Sequence, residues 1–159
     1  MSMRDRPRVQ VDVQKRVRAW APRRTDLAAW ASEALGRLAA NREVSVRLVG
    51  RAESRKLNAH YRGKDHATNV LSFPASSGHA VNDEAALPLG DLVICPPVLR
   101  AEALEQRKPL RAHWAHLVVH GSLHLIGYDH ERGADARRME RREVTVLRGL
   151  GFKNPYRSE

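Results

Sequence analysis

Alternating apolar residues in some segments and helix-spaced apolar residues in others predict one mixed domain of sheet and helices, of the α/β or α+β class. A length of 159 residues leaves little room for a second domain. Hydrophobic residues make up 42% and charged residues 29%, near the globular average, which excludes a disordered chain. At this size folding buries roughly 70% of the extended-chain surface, so the core needs no staple. The single cysteine, Cys95, excludes a disulfide framework and a cysteine-built zinc site.

The elements follow in order. Val9, Val11 and Val13 alternate with polar neighbours as a half-buried strand does. Thr25 and Asp26 offer a helix cap, and Leu27, Trp30, Ala31, Ala34, Leu35 and Leu38 keep helical spacing up to Asn41. Val44, Val46 and Leu48 alternate again before Gly50. Residues 51–61 read as a short helix and 69–73 as a strand stopped by Pro74. The Ser-, Gly- and Asn-bearing stretch 75–89 reads as an exposed loop, and 91–95 (DLVIC) as a short apolar strand. Pro96 and Pro97 open a helix to about Arg107. A longer helix begins near Pro109 and stops at Gly127, where a left-handed cap suits a residue without Cβ. A last helix covers about 134–149 and closes at Gly151. There are no internal repeats and no low-complexity block.

A soluble, cytoplasmic protein is expected. No apolar run approaches the ~20 residues that span a bilayer, and the start MSMRDRPRVQ lacks a signal-peptide core. The net charge of +10 and a pI near 10.8 favour a polyanionic partner, nucleic acid before a membrane surface. Arginine supplies 23 of the 28 positive side chains, scattered from Arg4 to Arg157. An arginine-rich background alone would give the same total, so charge names a partner class and no mechanism.

Chemistry concentrates in HWAHLVVHGSLHLIGYDH, which carries five of the eight histidines. His116, His120 and His124 recur every four residues along one helical stripe. The helix rise separates His116 from His124 by about 12 Å, too far to share an ion. His120 and His124 form the better chelating pair, Gly127 ends the helix, and the returning chain lets His130 supply a third nitrogen. Three imidazoles leave one tetrahedral position open, as in catalytic and not structural zinc sites. A bare HxxxH is usually packing or solvated surface; His-x3-His-x2-Gly-x2-His is far more constrained. His113 and His116 read as solvated or as supports of the ligands, and His60, His66 and His79 show no ligand spacing.

The same histidine spacing occurs in metzincin peptidases, whose HExxHxxGxxH places a catalytic glutamate after the first histidine. Here that position is Gly121, which removes the usual base of peptide hydrolysis. A mid-helix glycine costs about 1 kcal/mol against alanine, and space beside the metal would be a reason to keep it. With the basic charge, the site points toward a metal-dependent hydrolase of phosphodiesters. In residues 58–74, NAHYRGKDHATNVLSFP, Arg62 can grip phosphate oxygens with two N–H groups and stabilise charge on phosphorus. Lys64 is a second candidate for phosphate binding. Either could equally be a solvated turn residue.

HGSLHLIGYDH at 120–130, YRGKDHATNVLSFP at 61–74, GDLVIC at 90–95 and GFKNPY at 151–156 resemble the YbeY family of bacterial endoribonucleases, over about the whole chain. The resemblance implies one α+β, zincin-like (metzincin-related) domain over 1–159. It would hold a small mixed sheet of about four strands, about five helices and a metal-binding helix at about 109–126. It implies one Zn2+ per chain on His120, His124 and His130, with Arg62 as the functional arginine. The implied activity is a zinc-dependent endoribonuclease that prefers single strands. It would mature the small-subunit rRNA 3′ end and serve ribosome quality control. The implied partners are RNA, the small ribosomal subunit and its assembly factors, with no DNA and no membrane. Two other readings stand beside it. A zinc-dependent peptidase of metzincin type is opposed by Gly121, and a non-catalytic, zinc-stabilised ribosome assembly factor by the open fourth position. The general base is open among Asp129, Glu131 and hydroxide held by the metal; Asp129 could instead orient a ligand.

Overall fold

The computed structural model describes residues 7–75, 87–129 and 131–157. Within them, four strands form one sheet in the order β1–β2–β4–β3. Strand β1 spans Gln10–Lys15, β2 Arg42–Leu48, β3 Val70–Pro74 and β4 Leu87–Ile94. The first three in that order run parallel, and β3 closes the edge antiparallel to β4. The helices are α1 (Arg24–Leu35), α2 (Arg51–Arg62), α3 (Pro96–Gln106), α4 (Leu110–Leu125) and α5 (Gly133–Gly149), with a 3-10 turn over Gly36–Ala39. The fold is thus α+β with a mixed four-stranded sheet and five helices among the described residues.

Strand alternation assigns the two faces. Val44, Val46, Leu48, Leu92 and Ile94 point into the main core with Leu27 and Trp30 of α1, Trp114 and Leu123 of α4, and Met139 and Leu147 of α5. Val93 and Leu71 point the other way, where Val49 and Cys95 meet Leu57 of α2 and Val98 of α3. Each large side chain fully buried this way contributes about 1.5–3 kcal/mol. Helix α4 is the most enclosed, with ten of its 16 residues buried. Its histidines therefore sit on a rigid support.

Three expectations need correction. Helix α1 starts at Arg24 after Arg23, with no side-chain cap. Thr25 lies inside the first turn, and the Asp26 carboxylate is taken by the Arg111 guanidinium at 3.2 Å. The same helix ends at Leu35, where Gly36 at φ 58 breaks it into the 3-10 turn. Residues 76–86 of the expected loop lie outside the described residues, but Leu87–Leu89 already belong to β4. Pro88 is tolerated there because it precedes Gly90, where pairing with β3 begins.

Candidate active site

Helix α4 ends in a Schellman motif. The Tyr128 N–H donates to Leu123 O at 3.1 Å and the Gly127 N–H to His124 O at 3.1 Å, with Gly127 at φ 99. Glycine is required at that left-handed turn, as expected, and the chain folds back beside His124. His120 and His124 sit one turn apart with ring centroids 4.6 Å apart. Their Nε2 atoms lie 3.2 Å from each other. His130 lies outside the described residues.

Glu143 of α5 organises this end of the helix. It is 1% exposed, yet its carboxylate meets His116 Nε2 at 2.6 Å, the Tyr156 hydroxyl at 3.0 Å and His120 Nδ1 at 3.4 Å. Burial alone would raise its carboxyl; hydrogen bonds from His116 and His120 outweigh that and hold it at about 2. Burial pushes the His116 imidazole below its ordinary value, so the neutral ring donates Nε2–H to the carboxylate. Burial and the Glu143 charge push the Tyr156 phenol up, keeping it a proton donor. With Nδ1–H of His120 directed at Glu143, its Nε2 is the acceptor in the contact with His124 Nε2.

Two groupings could hold an ion. The ligand atoms of His116, His120 and Glu143 all lie within 4.8 Å of one another. The His120–His124 pair fits more directly: two nitrogens bound about 2.0–2.1 Å from one tetrahedral ion lie about 3.3 Å apart, against the observed 3.2 Å. Glu143 then occupies the place of a carboxylate that orients a ligating histidine through its other nitrogen. His116 supports that carboxylate instead of being solvated. His113, 4% exposed, does the same for Glu102 at 3.0 Å.

Glycine at 121 has a different reason from the expected one. A Cβ there would lie 2.9 Å from Leu92 Cδ2 and 3.2 Å from both Ser72 Oγ and Val70 Cγ2. The missing side chain lets α4 lie flush on β3 and β4, and Ser72 Oγ donates to Gly121 O at 3.1 Å. The space belongs to the sheet, not to an ion. Asn69 strengthens the same junction by donating to both Glu102 oxygens at 3.2 Å, while His113 holds Glu102 from α4.

The junction borders a cavity of about 690 Å³. His120, His124, Arg62, Ser72 and Asn69 line it together, as do Tyr61, Asp129 and Glu131. Arg62 stands at the last residue of α2, exposed, and makes no ion pair with any described residue. The structure thus brings Arg62 and two of the expected ligands to one cleft. Lys64 is not among its lining residues; it follows Gly63, the left-handed cap of α2, and is exposed. Asp129 Oδ1 accepts the Glu131 N–H at 2.9 Å, which shapes the loop at the rim. Tyr61 is 60% exposed, its ring edge-on to Phe73 at 5.0 Å. The places of Glu143 and Tyr156 beside the histidines, and of Tyr61 at the cleft, are not evident from the sequence. The one available signal was a carboxylate at 143 amid Met139, Val146 and Leu147 on the apolar stripe of α5.

No helix among the described residues is long and apolar enough to cross a membrane. The sequence model of the endoribonuclease YbeY family matches residues 8–151. The endoribonuclease YbeY of Methylococcus capsulatus is 56% identical over 128 residues, covering 80% of this chain and 82% of that protein. A solution structure from Thermotoga maritima aligns with a TM-score of 0.49 at 20% identity, over 94% of this chain and all of the other. With a family match spanning nearly the whole chain and a relative of that identity, this protein belongs to the endoribonuclease YbeY family.

Proposed function

We propose that this protein is a zinc-dependent endoribonuclease that cuts single-stranded RNA and matures ribosomal RNA at the small-subunit 3′ end. The observation that carries the reading is the meeting of Arg62 with the paired His120 and His124 nitrogens in one open cleft. His120 and His124 would hold the metal, with His130 as third ligand after the Gly127 turn. An all-imidazole set suits zinc. A bound zinc ion supplies Lewis-acid charge against the scissile phosphate.

The chain's own groups do the rest. Arg62 receives phosphate oxygens on two N–H groups and is available for them because no described carboxylate holds it. Tyr61, at the same rim, offers an exposed ring on which an unpaired base can stack, which favours single strands over duplex. Asp129 and Glu131 border the cleft as carboxylates able to accept a proton. Glu143 accepts from His120 Nδ1, which makes Nε2 the acceptor nitrogen of that ring. A basic, cytoplasmic protein of this kind would reach its site by docking on the small ribosomal subunit and its assembly factors.

The test incubates purified protein with a single-stranded rRNA 3′-end fragment, the same fragment in duplex, and casein. The single strand should be cut, the duplex spared, casein untouched, and a chelator should abolish cutting. Chelator-resistant RNA cleavage, or hydrolysis of casein in its place, would overturn the reading.

A further inference from the structure

Glu143 bonds residues of two different cavities. His120 lines the cleft already described; His116 and Tyr156 line a second cavity of about 700 Å³, between the start of α4 and residues 151–157. Arg107, Lys108, Arg111, Lys153 and Arg157 surround it, and no Asp or Glu is among its described lining. Lys108 Nζ donates to Pro155 O at 2.7 Å and Arg111 holds Asp26. Arg107, Lys153 and Arg157 make no ion pair with any described residue. Cations gathered around one concavity repel each other and focus a positive field into it, so an anion there relieves the repulsion.

Three further features refine the ligand. Arg107 is a non-glycine residue at φ 54, at the turn that brings Arg107 and Lys108 beside Pro109, the residue before α4. That helix start carries no side-chain cap and no acid in its first turn, and the Leu110, Arg111 and Ala112 amides bond no described group. Such amides receive phosphate oxygens. Phe152 and Pro155, both half-buried, supply an apolar surface for a planar ring.

We propose that this cavity binds a phosphorylated nucleoside. The phosphate meets Lys153, Arg157 and the α4 N-terminus, and the ring lies on Phe152 and Pro155. The assignment does not depend on the cleavage reading, because binding is measured without turnover.

The experiment is calorimetric titration of the full chain, with chelator present, by ADP, adenosine and inorganic phosphate. ADP should bind at least about tenfold tighter than either fragment, and Lys153→Glu with Arg157→Glu should weaken it at least about tenfold. Lys15→Glu with Lys56→Glu makes the same charge change outside the cavity and should alter ADP affinity by less than about twofold. A single-stranded oligoadenylate separates the sources. Weakening in parallel with ADP assigns the nucleotide to an RNA strand, and unchanged oligoadenylate binding assigns it to a free nucleotide. ADP bound no tighter than phosphate, or equal losses in both double variants, would overturn the proposal.

Discussion

Replacing Glu143 with Gln keeps the side-chain shape and removes the charge at the hub of the histidine cluster. The carboxyl falls from an ordinary 4.5 to about 2 in the folded protein, and each unit is worth about 1.4 kcal/mol. Its ionisation therefore contributes about 3 kcal/mol of stability at neutral pH. Because the folded value is depressed, this contribution is complete above about pH 4.5 and is lost as pH falls toward 2. The amide also turns N–H groups toward His116 and Tyr156, leaving a buried donor unpaired at about 1–3 kcal/mol. Urea denaturation of metal-free protein should show Glu143→Gln less stable by about 4–6 kcal/mol at pH 7, with the gap about 1 kcal/mol smaller at pH 3.5. Zinc affinity should fall about 10- to 100-fold as His120 loses its orienting partner. Wild-type stability in the variant, or a gap that widens in acid, would refute the reasoning.

Arg62→Ala should keep its stability within about 0.5 kcal/mol, since the side chain is exposed, and cut RNA about 10- to 1000-fold more slowly; unfolding or unchanged single-turnover rates contradict this. Gly121→Ala should be destabilised through the 2.9 Å approach to Leu92 Cδ2, by about 1–3 kcal/mol of overpacking partly offset by about 1 kcal/mol of helix propensity. Zinc affinity lost at unchanged thermal stability would instead return that glycine to the metal. Binding of two unrelated single-stranded RNAs should weaken together with salt, with a log–log slope near −0.7 per phosphate contacted. A flat salt response would show that the charge of +10 has been misread.

Local pattern made much of this legible. Alternation placed β1 and β2, and the Pro96–Pro97 pair and Gly127 marked one helix start and one helix end. The missed boundaries were tertiary decisions: Asp26 prefers the guanidinium of Arg111, distant in sequence, to capping its own helix, and Leu87–Leu89 pair in β4 because β2 lies alongside. The histidine pair is visible in its spacing, whereas its cleft is not, because Arg62 of α2 and His120 of α4 come to line one cavity only in the folded chain. Glu143 could not be paired with His116 and His120 from sequence, since α4 and α5 come together only in the folded chain. Gly121 stands out in the sequence as a mid-helix glycine, but its reason lies in neighbours the sequence does not reveal, Leu92, Ser72 and Val70.

The most direct test measures metal content and RNA cleavage together in wild-type protein and His124→Ala. Wild-type protein should hold one zinc per chain, lose cleavage of a single-stranded rRNA fragment on chelation and regain it with zinc. The variant should stay folded, hold far less zinc and cut no RNA at any zinc concentration. Undiminished cleavage by folded His124→Ala would contradict a metal site built on His120 and His124.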